Sequence, residues 1–210
     1  MPERRRIADC DRVLVVEGHS DLFFYLEMLR SIGDASRVFI QELRGKTRLK
    51  EKIEDFVTPS LKRSKVAMGF IVDADDNPYG TRASLEAILR QVFGRQEIAD
   101  GRWTGENPKV GLMVVPGAGQ KGEIETLVWQ SWSAAPSNQS QKRCVEQYLA
   151  CMQTDGRLPK SLEKGLIGAM LAIRNDDDPR LGPGARAKIF DFSQPGFEAL
   201  RRFLTELLTG

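Results

Sequence analysis

The sequence predicts an α/β fold: a mainly parallel four-stranded sheet with flanking helices, followed by a helical C-terminal extension. In the first half of the chain, short apolar runs typical of buried strands alternate with amphipathic segments typical of helices. That alternation indicates a parallel sheet covered by helices. After Gly117 the strand signals end and helical periodicity continues. We therefore divide the 210 residues into an α/β core at 1–130 and a mostly helical extension at 131–210, packed on the core.

Four short apolar runs, rich in β-branched and aromatic residues, predict strands buried on both faces. They lie at 13–16, 38–40, 66–72 and 110–115. Apolar residues that recur every three or four positions predict helices. These lie at 20–30, 46–57, 81–93, 123–132, 141–152, 160–173 and 195–208. Two segments dense in turn-forming residues, 95–109 and 175–184, predict loops.

Composition narrows the class of protein. With 31 Lys+Arg against 29 Asp+Glu, the net charge is +2, which neither requires nor excludes a nucleic-acid partner. Three cysteines without a CxxC pair disfavour a disulfide framework or a structural zinc site and favour a reducing compartment. No signal peptide is evident, and no apolar run approaches the ~20 residues of a membrane span. We therefore expect a cytoplasmic protein without membrane association.

Carboxylates follow two of the predicted strands. Glu17 and Asp21 follow the first strand in the sequence VEGHSD, and Asp73, Asp75 and Asp76 follow the third in DADD. Ligand crevices of parallel sheets lie at the carboxyl ends of the strands, so we expect strands one and three to be parallel neighbours whose acids converge. Like charges so placed repel, and Mg²⁺, which prefers oxygen ligands, relieves the repulsion. The pattern therefore predicts a Mg²⁺ site, with Mn²⁺ as a substitute.

Local features support this prediction, although each has a structural alternative. Asp73 and Asp75 point the same way if the backbone is extended. Gly18 permits a sharp turn and a close phosphate, and the amides of a helix starting near His19 favour an anion. Alternatively, these acids are turn residues or helix caps, and Asp21 in a first helical turn is stabilised by the helix dipole without any function.

The two motifs, Glu-Gly after strand one and Asp-x-Asp after strand three, resemble the signature of the Toprim domain. That domain is shared by topoisomerases, bacterial primases and OLD-family nucleases. The resemblance covers about residues 11–130. The whole chain looks most like a standalone bacterial and archaeal Toprim family with no established function.

The resemblance implies roles for individual residues. Glu17 would act as general acid/base or metal ligand, and Asp73 and Asp75 as metal ligands, with Asp21 as a second acid seen in nuclease-like members. Lys121 and Glu125 follow strand four and match more loosely. They would supply a cation for the transition-state phosphate and one further ligand; a solvated helix start is the alternative for this pair.

Departures from the resemblance limit the activities expected. There is no room for the second large domain that carries the tyrosine of topoisomerases, no zinc module of a primase, and no GxxxxGK[ST] P-loop of the OLD ATPase. His19 is the single histidine, and it lies at a helix entry, so we expect a structural or phosphate-contacting role and no Ser-His-Asp triad. Trp129 and Trp132, three apart on a helix, are expected in the core rather than stacked on bases.

Two functional hypotheses follow. The first is a Mg²⁺-dependent phosphodiesterase or nuclease that acts on nucleic acid, with Glu17 positioning or deprotonating the nucleophile. The second is a non-catalytic regulatory module that binds nucleic acid or a nucleotide and partners a separately encoded ATPase.

Overall fold

The structure is a computed structural model that describes residues 6–117, 119–157, 159, 161–175 and 177–209. The predicted ranges 1–130, 160–173 and 175–184 each include positions that lie outside the described residues.

A five-stranded, mostly parallel sheet forms the centre of the protein, with strand order β2-β1-β3-β5-β4. The strands are β1 (Arg12–Val16), β2 (Val38–Glu42), β3 (Ala67–Asp73), β4 (Arg102–Thr104) and β5 (Lys109–Val115). Strand β1 pairs in parallel with both β2 and β3, and β3 pairs in parallel with β5. The expectation that strands one and three are parallel neighbours is thus confirmed.

Helices cover both faces of this sheet. They are α1 (His19–Ile32), α2 (Leu49–Phe56), α3 (Pro59–Ser64), α4 (Pro78–Phe93), α5 (Ile124–Ala134), α6 (Gln139–Thr154), α7 (Leu162–Arg174), α8 (Leu181–Arg186) and α9 (Glu198–Thr209). Among the described residues, no helix is long and apolar enough to cross a membrane.

Alternate residues of the strands feed two separate hydrophobic clusters, as the two-residue period of a strand requires. Val13 and Val15 of β1 lie in the cluster that includes residues of α2 and α4. Leu14 and Val16 lie in the opposite cluster, which α1, α5 and the C-terminal helices complete. Both faces of β1 are therefore buried, which explains its uninterrupted apolar sequence.

The C-terminal helices supply much of the second layer. Phe203 of α9 is buried and packs on Trp103, with ring centroids 4.8 Å apart. The Trp103 indole N–H also donates to the Phe203 carbonyl at 3.1 Å. Residues from both sides of position 130 thus share one core, and position 130 falls within α5. The division into 1–130 and 131–210 stays a prediction.

The segment 95–109, expected to be a loop, contains the edge strand β4, which pairs antiparallel with β5. The sheet therefore has five strands instead of the four expected. Strand β4 is three residues long and has no apolar run, so its pairing depends on tertiary packing of Trp103. A Cβ placed on Gly111 would lie 2.5 Å from the Trp103 ring, so this glycine leaves the space that the indole fills.

The segment 175–184, also predicted to be a loop, contains the start of helix α8 at Leu181. Its glycines serve close packing instead of turning. A Cβ on Gly182 would lie 2.6 Å from the Phe23 Cβ and 3.0 Å from the Ser20 carbonyl oxygen. Only glycine permits α8 to approach α1 so closely. Because glycine is also typical of turns, its presence led to the incorrect prediction of a loop here.

Candidate functional site

The acids of the two sequence motifs meet at the carboxyl edge of the sheet. Glu17 directly follows β1, and Asp73 is the last residue of β3. The Glu17 Oε2 accepts a hydrogen bond from the Asp73 backbone N–H at 3.4 Å. The two motifs, 56 residues apart in sequence, are therefore in direct contact. Their proximity follows from the parallel pairing of β1 with β3.

Asp73 lies at the centre of this cluster. Its Oδ1 accepts a hydrogen bond of 2.9 Å from the backbone N–H of Ile124, the first residue of α5. Burial raises the pKa of Asp73 well above its ordinary value, and the charges of Asp21, Glu17 and Glu125 raise it further. Four carboxyl groups are thus electrostatically coupled at one edge of the sheet.

Glu17 has a raised pKa for similar reasons. Burial is the largest cause, and the charges of Asp75 and Asp21 add to it. The ammonium group of Lys46 opposes the increase, since its Nζ lies 3.8 Å from the Glu17 Oε2. A carboxyl group so placed holds a proton at a higher pH than an exposed glutamate does, and such a shift is the kind that general acid/base groups require.

Asp75 does not have the extended backbone that the two-residue spacing suggested. Its φ is 50°, in the left-handed region, because β3 ends at Asp73 and the chain turns there. Backbone hydrogen bonds of 2.8 Å in both directions join Asp75 to Gly122. The expectation that Asp73 and Asp75 point the same way from an extended strand is therefore wrong, although Asp75 still influences the Glu17 charge.

Lys46 joins the two acidic loops. Its Nζ lies 2.6 Å from the Asp75 Oδ2 and also donates to the Asp73 backbone carbonyl. Lys46 follows β2, the neighbour of β1, so it reaches the same edge of the sheet. Sequence reasoning placed it in a helix and missed it. Applying to β2 the rule that crevice residues follow strand ends would have identified it.

Asp21 caps helix α1 and also lies within the acidic cluster. Its Oδ2 accepts a hydrogen bond of 2.9 Å from the Gly18 N–H, so it caps α1. Burial raises its pKa, as do the charges of Glu123 and Glu42, while the Gly18 hydrogen bond and Lys164 lower it. The cap and the acidic cluster are therefore parts of one arrangement.

Glu125 lies in the first turn of α5 and is 9% exposed. Burial, the largest cause, together with Glu123 and Asp21, raises its pKa to about 7. The charge of Lys164 opposes this rise. Glu125, which matches the Toprim pattern only loosely in sequence, thus lies inside the acidic cluster.

Lys164 of α7 brings the C-terminal extension into the site. It forms an ion pair with Glu123, and the charges of Glu125 and Asp73 also act on it. Sequence reasoning missed Lys164 because nothing near it in sequence indicates which sheet edge it contacts. The packing of α7 on α5 determines its position.

Two predicted site residues lie apart from these contacts. Asp76 is exposed in the turn before α4, and Lys121 is exposed between β5 and α5. Within the described part of the chain, neither side chain forms a hydrogen bond or an ion pair with the cluster. The structure therefore brings together Glu17, Asp21, Asp73, Asp75 and Glu125, but not Asp76 and Lys121.

The donor chemistry of the cluster fits a hard cation. Four of its carboxyl groups, those of Glu17, Asp21, Asp73 and Glu125, have raised pKa values because they are buried close to one another, and a divalent cation relieves such repulsion. However, among the described residues no group of three or more His, Cys, Asp or Glu side chains is arranged to hold a metal ion. The Lys46 ammonium instead contacts Asp75, so metal binding requires that Lys46 and the carboxylates rearrange.

His19 and the two tryptophans of α5 lie outside the acidic cluster. His19 is exposed, and its Nδ1 lies 3.1 Å from the Glu42 Oε2 at the rim of the cluster. Trp129 and Trp132 are buried in the core that α5 shares with the sheet, so the core assignment is confirmed.

Comparison with known proteins gives a family but no activity. No curated protein and no solved structure matches the chain. One family model matches residues 11–209, nearly the whole length, including every residue of the acidic cluster. The chain therefore belongs to the family described as protein of unknown function DUF3226.

Proposed function

We propose that this protein is a Toprim-type, Mg²⁺- or Mn²⁺-dependent phosphodiesterase that cleaves nucleic acid in the cytoplasm. The observation that supports the proposal is the contact between Glu17 and Asp73, within a cluster of acids whose pKa values are raised. Mutually repelling carboxylates at the carboxyl edge of a parallel sheet destabilise a fold, and cation binding is a function that accounts for them.

In this proposal Asp73 and Asp75 hold the metal ion, and Glu17 stays free for proton transfer. A bound Mg²⁺ supplies Lewis-acid polarisation of a phosphoryl oxygen and lowers the pKa of water. Glu17 transfers the proton of the nucleophile, since its raised pKa lies closer to neutral pH than that of an exposed glutamate. Lys46 and the amide groups at the start of α1 offer positive charge to the phosphate.

Cleavage assays with matched variants test this proposal. The purified protein is incubated with labelled single- and double-stranded DNA and RNA, with Mg²⁺, Mn²⁺ or Ca²⁺. We expect slow cleavage with Mg²⁺ or Mn²⁺ but not with Ca²⁺, which takes more ligands at longer distances. Glu17→Gln should reduce the rate by ~10²–10⁴-fold with little loss of binding.

Asp76→Asn is the control that separates the cluster from its sequence neighbours. Asp76 is exposed and outside the cluster, so its variant should keep most of the activity, while Asp73→Asn should lose it. Activity that persists in Glu17→Gln and Asp73→Asn would indicate a contaminating nuclease. Inactivity of the clean parent protein with bound metal would exclude the nuclease.

One observation favours a second function, a non-catalytic regulatory subunit that binds nucleic acid or a nucleotide beside a separately encoded ATPase. Lys46 already provides a counter-ion 2.6 Å from Asp75, and a permanent ammonium makes a metal ion unnecessary there. If this function is correct, Mg²⁺ will not raise the melting temperature, and Lys46→Met will destabilise the protein by leaving buried acids without their cation.

A further inference from the structure

An exposed aromatic side chain lies beside the acidic loop. Tyr79, the second residue of α4, is 65% exposed and follows Asp75 by four positions. The Arg82 guanidinium carbon lies over its ring, 5.6 Å from the centroid. Isolated exposed apolar residues are ordinary on protein surfaces, so the inference depends on what surrounds Tyr79.

Tyr79 forms one wall of a small cleft between α4 and the segment that follows β5. The other lining residues include Pro78, Arg82, Gly117, Gly119 and Gln120. A Cβ on Gly119 would lie 3.2 Å from the Tyr79 hydroxyl oxygen, and its φ of 71° is also unfavourable for other residues. Glycine at this position therefore allows the edge of the phenol to pack against the segment after β5, which fixes the position of the ring.

The same segment connects the cleft to the acidic cluster. Gly119 faces Tyr79, and Gly122, three residues later, pairs with Asp75 through the backbone. Three residues of chain span at most about 10 Å. The Thr81 hydroxyl also donates to the Ala74 carbonyl at 3.2 Å, which fixes the first turn of α4 to the acidic loop. The cleft that contains Tyr79 is therefore held close to the acidic loop.

The charges in the cleft indicate stacking rather than phosphate binding. Arg82 acts on the nearby carboxyl group of Asp100, and its Nε lies 4.0 Å from the Glu86 Oε1. Its positive charge is therefore partly balanced before any ligand arrives. What remains is a planar pair, an aromatic ring backed by a guanidinium group, which is the kind of surface on which nucleobases stack.

We infer that Tyr79, backed by Arg82, is a base-stacking subsite for a single-stranded nucleic acid whose phosphate lies at the acidic cluster. This inference rests on the proposed function, because the strand is placed beside Tyr79 by the phosphate that the acidic cluster would cleave. Stacking on tyrosine accepts every base, so the subsite gives a preference for single strands over duplexes and no sequence preference.

Binding measured without cleavage tests the subsite. Fluorescence anisotropy with Ca²⁺, which should bind the site without supporting cleavage, compares a labelled thymidine oligomer of about 12 nucleotides with an abasic strand of the same length, and a uridine oligomer tests RNA. The parent should bind the base-bearing strands ~5- to 100-fold more tightly than the abasic strand, the contribution of one stacked base. Tyr79→Ala should remove most of this difference, whereas Tyr79→Trp should keep it.

Tyr148→Ala is the matched control, because Tyr148 is 55% exposed but lies on α6. It should bind as the parent does. The inference is wrong if the parent binds neither strand or both alike, or if Tyr79→Ala leaves the difference intact. If binding depends on Tyr79 but no metal-dependent cleavage occurs, the nuclease is excluded and the subsite is kept. If Tyr79→Ala cleaves with an unchanged KM, the subsite is excluded and the nuclease is kept.

Discussion

Glu125 provides the most quantitative test of the acidic cluster. Its pKa rises from an ordinary 4.5 to about 7 in the folded protein, so the folded state binds this proton more tightly than the unfolded state. The stability that protonation provides is complete below pH 4.5 and is lost as the pH rises to 7. Because each pKa unit corresponds to about 1.4 kcal/mol, ionisation of Glu125 costs the fold about 3 kcal/mol above pH 7.

Glu125→Gln removes this ionisation while keeping the shape of the side chain. At pH 8 in EDTA, the variant should be about 3 kcal/mol more stable than the parent, or about 6–12 °C higher in melting temperature for a chain of this size. Near pH 4.5 the two proteins should be about equally stable. Urea unfolding at a series of pH values measures the difference, which isolates Glu125 because other groups titrate in both proteins.

The exposed glutamate Glu97 supplies the control. It lies in the segment before β4, and Glu97→Gln should leave the stability unchanged at every pH. A Glu125→Gln difference that stays constant from pH 4.5 to 8, or that favours the parent at pH 8, would refute the claim that Glu125 is ionised at a cost. The pH dependence, rather than the absolute gain, is decisive because the amide also changes local hydrogen bonding.

Three further predictions address the other contacts. Mg²⁺ should raise the melting temperature of the parent, Asp75→Asn should abolish that rise, and a rise equal to that of the parent would show that Asp75 is not a ligand. Lys164→Met should lower the stability at pH 8, because the acids lose a counter-ion. The loss should be at most about 1 kcal/mol, since this half-exposed cation is screened by water. A variant that is more stable than the parent in urea unfolding would contradict the counter-ion role. Phe203→Ala should cost about 3–5 kcal/mol in urea unfolding, and a cost near zero would show that α9 is not part of the sheet's core.

The strands and acids that could be predicted from the sequence are those whose signal is local. Strand β1 is buried on both faces, so its run Val13–Val16 has no polar interruption, and its terminal Glu17 marks the crevice. Strand β4 has no such signal, because Trp103 contributes through its fit against Gly111 on the neighbouring strand. Helix α8 has a misleading signal, since Gly182 permits close packing with the same residue type that turns require.

The two lysines of the site, Lys46 and Lys164, could not be predicted from local sequence signals. A carboxylate after a strand has few structural uses in a buried setting, whereas lysines occur throughout the surface of any protein. Lys46 and Lys164 acquire meaning only from the acids that they contact, one from the loop after β2 and the other from α7. Lys46 contacts Asp75 and opposes the pKa rise of Glu17, whereas Lys164 acts on Asp21, Asp73 and Glu125.

Asp73 is the acid at which burial and repulsion most outweigh the nearby cations. The charge of Lys164 acts on Asp73, but burial and three neighbouring carboxyl groups are the stronger influences and raise the pKa of Asp73. Lys46 contacts its backbone carbonyl rather than its carboxyl group. If a cation binds this edge of the sheet, it should therefore reduce the electrostatic repulsion most at the Asp73 carboxylate. Asp73→Asn should consequently raise the stability in EDTA more than Asp75→Asn, whose partner is the half-exposed contact with Lys46. Urea unfolding of the two variants at pH 8 makes that comparison, and the reverse order would show that the repulsion is centred elsewhere.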